Sequence, residues 1–222
     1  MGLNRPYERT EELPGVIPIF PLAGALLLPR GQMPLNIFEP RYLQMVDDSM
    51  RNHRLVGMVQ PDEGSAPARG GPSVHAVGCA GRITQYAETG DGRLLITLTG
   101  VCRFRILDEL SVATPYRQCT VNFEHFAADL DGMAGEDQVD RQSVVRMLRA
   151  FAENNRIKLD WTEIERAPNE ALVNGLAMMS PFGSVEKQAL LEAETLKARA
   201  EVLVALAEIE FARGGNPSSP LQ

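Results

Sequence analysis

The spacing of apolar and polar positions divides the chain into a strand-rich first half and a helical second half. Its densest signal lies between Ile17 and Tyr42, in IPIFPLAGALLLPRGQMPLNIFEPRY, which holds five of the chain's fifteen prolines. Ile17, Ile19 and Phe20 favour a strand, whereas Pro18 and Pro21 have no N–H to give a ladder, so the pattern predicts a short strand at an edge or strand start. Leu26, Leu27 and Leu28 form a second apolar run, stopped by Pro29 and turned at Arg30-Gly31. Met33, Leu35 and Ile37 then alternate with Pro34, Asn36 and Phe38, which is strand periodicity. Pro40 suits the first turn of a helix, predicted over Arg41–Asn52 with Tyr42, Leu43, Val46 and Met50 on one face. The whole reads as a proline-turned hairpin followed by a helix.

The strand pattern continues beyond it. Leu55–Val59 is apolar on both faces and predicts a buried strand. A Gly/Pro loop over 61–72 separates it from strand character over Val74–Tyr86, where Gly78, Ala80 and Gly81 suit a bend or bulge. Gly90-Asp91-Gly92 marks a hairpin turn, and alternation resumes through Ile106 and again from Tyr116 to Glu124. Six or more short strands with one early helix predict a small mixed barrel. After a loop at 127–136 the period becomes helical: Val139–Asn155, a short turn capped at Thr162, Asn169–Met179, and one long helix from Ser184 to about Arg213. The expected class is α+β, divided into a flexible 1–13, a barrel over 14–126, a helical bundle over 136–213 and a disordered tail over 214–222.

The PIFPL opening, the proline-turned stretch and PLNIFEPRY together resemble the amino-terminal substrate-binding domain of the ATP-dependent Lon protease. The likeness runs from about Leu13 to Arg213, and from Arg54 to Phe182 it is one of layout more than of letters. It implies a PUA-like β pseudobarrel followed by an α-helical bundle with a long C-terminal helix. The full protease continues into an ATPase and a peptidase, and this chain ends first. A stand-alone, non-catalytic protein-binding module is therefore the expectation, acting as an adaptor, regulator or holdase-like binder.

Composition agrees with a folded chain whose halves differ in charge. Of 222 residues 44% are apolar, and the net charge is −7. Residues 1–120 carry twelve arginines against twelve acids and no lysine, while residues 121–222 carry ten basic and seventeen acidic side chains. The break supports a boundary near residue 125. Cys79, Cys102 and Cys119 are widely spaced inside apolar runs, as buried free thiols of a cytoplasmic protein would be. No segment spans a membrane, and the acids before Val16 oppose a signal peptide.

Catalytic motifs are absent. The chain has no G-x-x-x-x-G-K-[ST] and no G-x-S-x-G, and Lys158, Lys187 and Lys197 lack the apolar surround of a peptidase lysine. His53, His75 and His125 have no metal-site spacing, so neither cofactor nor metal is expected. Arg82, Arg93, Arg103, Arg105 and Arg117 lie on successive strands and keep an RNA-binding PUA-like module as the alternative. A solvated polar sheet face is favoured, because stacking aromatics are sparse. An enzyme with an unrecognised site is the third reading.

The candidate protein-binding surface combines Met33, Pro34, Leu35, Phe38 and Tyr42 with a second wall from Met178, Met179 and Phe182. Flexible methionines beside rigid prolines suit adaptable capture of apolar segments. Glu39, Pro40 and Arg41 read as a structural brace between strand and helix. The expected partners are unfolded or misfolded protein segments, or a protease or chaperone; nucleic acid and membrane are not expected.

Overall fold

One long strand organises the β-structure. In the computed structural model, which describes residues 5–66, 71–154 and 158–214, Leu94–Glu109 runs unbroken as β5. The other strands are β1 (Val16–Pro21), β2 (Gln32–Ile37), β3 (Leu55–Val59), β4 (Val77–Glu88) and β6 (Gln118–Asn122). The sheet order is β2-β5-β4-β3-β1-β6, and β5 also pairs with β6. That extra pairing closes β5, β4, β3, β1 and β6 into a ring, with β2 attached outside it along the first half of β5. Register shifts at Ala80/Gly81 and Ile83/Gln85 bend β4 where the small residues predicted it.

The alternation after Gly92 runs as one strand through Glu109. Gly100 explains the continuity. A Cβ there would overlap the Leu28 carbonyl, and the Gly100 N–H donates to Gly31 O while Arg30 N–H donates to Gly100 O, both at 2.8 Å. The backbone of 28–31 thus crosses β5 at the one residue that admits it. The same crossing corrects the expected hairpin. β1 pairs with β3 in parallel and with β6 antiparallel, whereas β2 pairs with β5. Leu26–Pro29 is too apolar to serve as a solvated loop, so it is buried on the way from β1 to β2.

The helices are α1 (Pro40–Arg51), α2 (Arg141–Asn154), α3 (Trp161–Arg166), α4 (Asn169–Met179), α5 (Ser184–Glu192) and α6 (Leu196–Gly214). α1 buries Tyr42, Met45, Val46 and Ser49, with Tyr42 edge-on to Phe20 at 4.3 Å. α3 is capped by Asp160, whose carboxylate accepts from the Thr162 and Glu163 N–H groups, so the predicted cap Thr162 lies inside the helix. The long final helix is broken over 193–195. The carbonyls of Leu191, Ala193 and Glu194 turn instead towards the Arg103 guanidinium, and Thr195 restarts the helix by accepting the Ala198 N–H at 3.1 Å.

A single apolar core runs from Ile17 and Phe104 in the sheet to Leu190 and Leu203 in the helices. Cys79, Cys102 and Cys119 are free and buried in it. Burial pushes the Cys79 thiol up to about 12 and the Cys119 thiol to about 11. Within the stretch read as flexible, Tyr7 lies beneath the Arg82 guanidinium at 4.4 Å and Leu13 is buried. Residues 1–4, and all but the first residue of the expected tail at 214–222, lie outside the described residues, as does part of the 61–72 loop.

Candidate protein-binding surface

The chain beside the Leu28–Gly31 crossing sets the position of α4. Arg30 adopts a left-handed φ of 64° and directs its guanidinium to Glu170 at the start of α4 and to the Asp129 carbonyl at 2.6 Å. Asn174, one turn on, donates to Pro29 O at 3.2 Å. The end of the helix then meets Gly31 so closely that a Cβ there would collide with Met178 Sδ. Met178 is consequently half-buried, Met179 is 77% exposed and Phe182 is half-buried.

β2 leads away from this contact. Met33 and Leu35 are half-buried, Pro34 is exposed, and Phe38, just past the strand, is 61% exposed. The structure therefore brings Met178 to the start of β2, whereas Phe38 lies at its far end, about 20 Å along at strand rise. The predicted residues line a strip rather than a single cleft. Tyr42 does not line it: the ring is buried against Phe20, with Arg41 over it at 4.5 Å. Arg41 Nε donates to Glu39 Oε2 at 2.9 Å beside Pro40 in the first turn of α1, an exposed pair that fixes little on its own. β2 is also the terminal strand of the sheet order, so its side away from β5 is an open edge.

A second constellation, which the alternation pattern did not reveal, holds sheet and helices together. Arg103 is 3% exposed and grips Asp129 with two parallel bonds, Nε to Oδ2 and Nη2 to Oδ1, each 2.8 Å. Asp129 Oδ2 also accepts the Arg103 backbone N–H at 2.9 Å, and Phe126 underlies the guanidinium. Nearby, Arg199 donates to Asn174 Oδ1 and Leu190 O, and burial, with Arg103 close by, lowers its guanidinium to about 10. Gln60 and Gln188 bond to each other at 3.1 Å across the same junction. The signal that could have exposed this hub is Glu194-Thr195, a helix-start pair inside an apparently continuous helix.

The hub changes the account of the barrel arginines. Arg103 is inside the molecule, Arg82 donates to Arg5 O at 2.7 Å, and Arg117 is paired with Glu109 at 2.6 Å. Arg93 pairs with Asp91, which leaves Arg105 as the exposed member of the five without such a partner among the described residues. Among the described residues no group of three or more His, Cys, Asp or Glu side chains is placed to hold a metal ion. No described helix is long and apolar enough to cross a membrane.

Comparison with known proteins places this geometry. The family profile described as the ATP-dependent protease La (LON) substrate-binding domain matches residues 16–208. The Lon protease of Anaeromyxobacter dehalogenans is 23% identical over 198 residues, which cover 88% of this chain and 23% of that protein. The Lon protease of Syntrophus aciditrophicus is 32% identical over 124 residues, 54% of this chain and 15% of that protein. The chain spans about a quarter or less of the length of these curated relatives. Among solved structures, the Lon N-terminal domain protein from Xanthomonas campestris superposes with a TM-score of 0.61 at 22% identity, covering 86% of this chain and 97% of that one. The N-terminal domain of Mycobacterium avium complex Lon protease gives 0.63 at 17% identity, covering 87% and 98%. Both share the mixed α+β fold.

Proposed function

This chain belongs to the Lon substrate-binding domain family, and from that premise we propose that it is a non-catalytic cytoplasmic module that captures exposed apolar segments of protein clients, as an adaptor, regulator or holdase-like binder. The observation that carries the proposal is the strip along β2. Two large apolar side chains, Phe38 and Met179, stand 61% and 77% exposed, and the open edge of β2 lies between Phe38 and the end of α4. An unfolded client offers extended backbone and scattered apolar groups. An open edge can take the first and an adaptable apolar rim the second. Pro34 interrupts the N–H row of that edge, which limits pairing with a second copy. The closed ring is read as a PUA-like barrel over 14–126 that presents this strip, and 136–213 as the helical unit that supplies its α4 end. RNA binding is the weaker reading, since four of the five barrel arginines have internal or acidic partners.

Reduced, carboxymethylated α-lactalbumin, which cannot refold, is the test client. The wild-type chain should retain it, and the Phe38→Ser/Met179→Ser variant should bind about tenfold more weakly, as expected if roughly 1.4 kcal/mol of apolar contact is lost. Equal binding by a folded variant would remove the strip from the mechanism. Turnover of ATP or cleavage of casein by the purified chain above a mock preparation would contradict the non-catalytic reading.

A further inference from the structure

We propose that the outer face of α2 is a docking site for an acidic peptide segment of a protein partner, one that sets carboxylates on either side of an apolar side chain. Arg141, Val145 and Arg149 recur every four residues along this helix, with Arg146 beside them, and together they border a shallow groove of about 370 Å³. The recurrence places the outer arginines about 12 Å apart on one face.

The distinguishing feature is how the three guanidinium groups are held. Arg141 donates to Asn169 Oδ1 and Ile164 O, each at 2.6 Å, and to Glu165 O at 3.0 Å. Arg146 donates to Ser143 Oγ at 2.7 Å. Arg149 lies over the Trp161 ring, 5.0 Å from its centroid. All these partners are neutral, and among the described residues none of the three arginines forms an ion pair with a carboxylate. Elsewhere among the described residues Arg30, Arg41, Arg51, Arg103 and Arg117 do so, while Arg105 and Arg199 do not. Beside this face Asp140 accepts the hydroxyl and N–H of Ser143, and these bonds, with Arg146 nearby, hold its carboxyl below the usual range. Arg146 thus reaches Asp140 through Ser143 and not as a direct ion pair. In a chain with 29 acidic against 22 basic side chains, three arginines on one helix face form a local positive patch.

A short acidic segment fits better than a nucleic acid. Three cations match three carboxylates set about an apolar side chain, which a phosphodiester strand does not offer. Trp161 is the only tryptophan, and its ring already carries Arg149, so no stacking platform for bases is offered. Val145, half-buried between the arginines, supplies the apolar element. This surface shares no residue with the strip along β2 and stands whether or not that strip binds clients.

The test uses the whole chain and a labelled synthetic peptide, Glu-Asp-Leu-Glu-Asp-Leu-Glu-Asp, read by fluorescence anisotropy, with Trp161 emission as a reporter inside the site. The wild type should bind the peptide saturably, with a change in Trp161 emission as Arg149 turns to the ligand, and binding should weaken as salt is raised. The Arg146→Gln/Arg149→Gln variant, with an unchanged circular dichroism spectrum, should bind at least about tenfold more weakly. Replacement by lysine should restore part of the loss. The proposal is overturned if the wild type does not bind the peptide, if the glutamine variant binds it equally well, or if the amidated Gln-Asn-Leu counterpart binds as tightly. It is likewise overturned if oligouridylate binds this face more tightly than the peptide and the glutamine variant loses that binding, because the occupant would then be nucleic acid.

Discussion

The junction around Arg103 and the strip along β2 invert the usual arrangement of side chains. At the junction, charged groups are buried: Arg103 and Asp129 are 3% and 7% exposed, and Arg199 is 2% exposed. At the strip, Phe38 and Met179 stand in solvent. A buried charge is costly unless its hydrogen-bonding groups are answered. Arg103 meets this with Asp129 and three carbonyls, while Arg199 keeps a buried Nη2 without a partner among the described residues, so the junction is a demanding arrangement. An exposed apolar side chain makes no such demand and constrains nothing around it. Each property therefore has its own place: the junction fixes how the sheet and helices meet, and the strip is free to serve binding.

Removal of Asp129 tests the contrast most severely. Asp129→Ala leaves the Arg103 charge buried without a counterion, and urea unfolding should show a loss of about 3–5 kcal/mol. Arg103→Met combined with Asp129→Leu should recover part of that loss, because it removes the orphaned charge but leaves the Leu191 and Ala193 carbonyls without their donor. If Asp129→Ala were as stable as wild type, the junction would not hold the halves together.

The next largest effect belongs to Gly100. A Cβ there meets the backbone of Leu28 and Pro29, which cannot rotate aside. Gly100→Ala should therefore destabilise by about 1–3 kcal/mol. Gly175, in the middle of α4, has nothing near its missing Cβ. Gly175→Ala should stabilise by roughly 0.5–1 kcal/mol through helix propensity. The two substitutions, identical in chemistry, should move the unfolding midpoint in opposite directions.

Alkaline pH separates the buried interior from the strip in another way. Burial, and then the hydrogen bond to Asp48, push Tyr116 up to about 12 from an ordinary 10.0. Cys79 and Cys119 are raised to about 12 and about 11 from 9.0. Each group is held in its neutral form, so folding opposes its deprotonation. That contribution is complete below the unfolded values, near pH 9, and is lost as pH rises through about 11 to 12. The unfolding midpoint should be level to about pH 9 and then fall, and Tyr116→Phe should flatten the fall. A midpoint that rises between pH 9 and 11 would contradict the assignment.

What was legible in the sequence follows the same division. Local periodicity disclosed α1, β3, α4 and the turn at Gly90–Gly92, because those elements are determined by neighbours within a few residues. The ring closure through β5 was legible only as a class of fold. The long-range register between β1, β3 and β6 depends on contacts far apart in the chain. The junction was missed because Arg103 alternates with apolar neighbours on β5 as a surface arginine would. Only the carbonyls released by the break at 193–195 and the distant Asp129 make its burial tolerable. For the strip, residue type indicated Phe38 and Met179, but type alone cannot separate an exposed side chain from a core one, and Tyr42 went to the core.

The smallest expected effect is on the stability of the strip itself, and its smallness is the point. Phe38→Ser and Met179→Ser remove large apolar groups that already face water, so each should change stability by no more than about 0.5 kcal/mol. Leu35→Asp is different: Leu35 is half-buried and packs against the core, so it should cost stability as well as binding. Phe38 is therefore the cleaner probe. The two exposed sites lie at opposite ends of β2, about 20 Å apart at strand rise, so their stability effects should add. Their effects on client binding need not add. A client that lies along β2 and reaches both ends would lose more in the double variant than a client held at one end. Titration of the unfolded client against both single variants and the double therefore measures how much of the strip one client covers. A double variant that binds no worse than the weaker single one would confine the contact to one end.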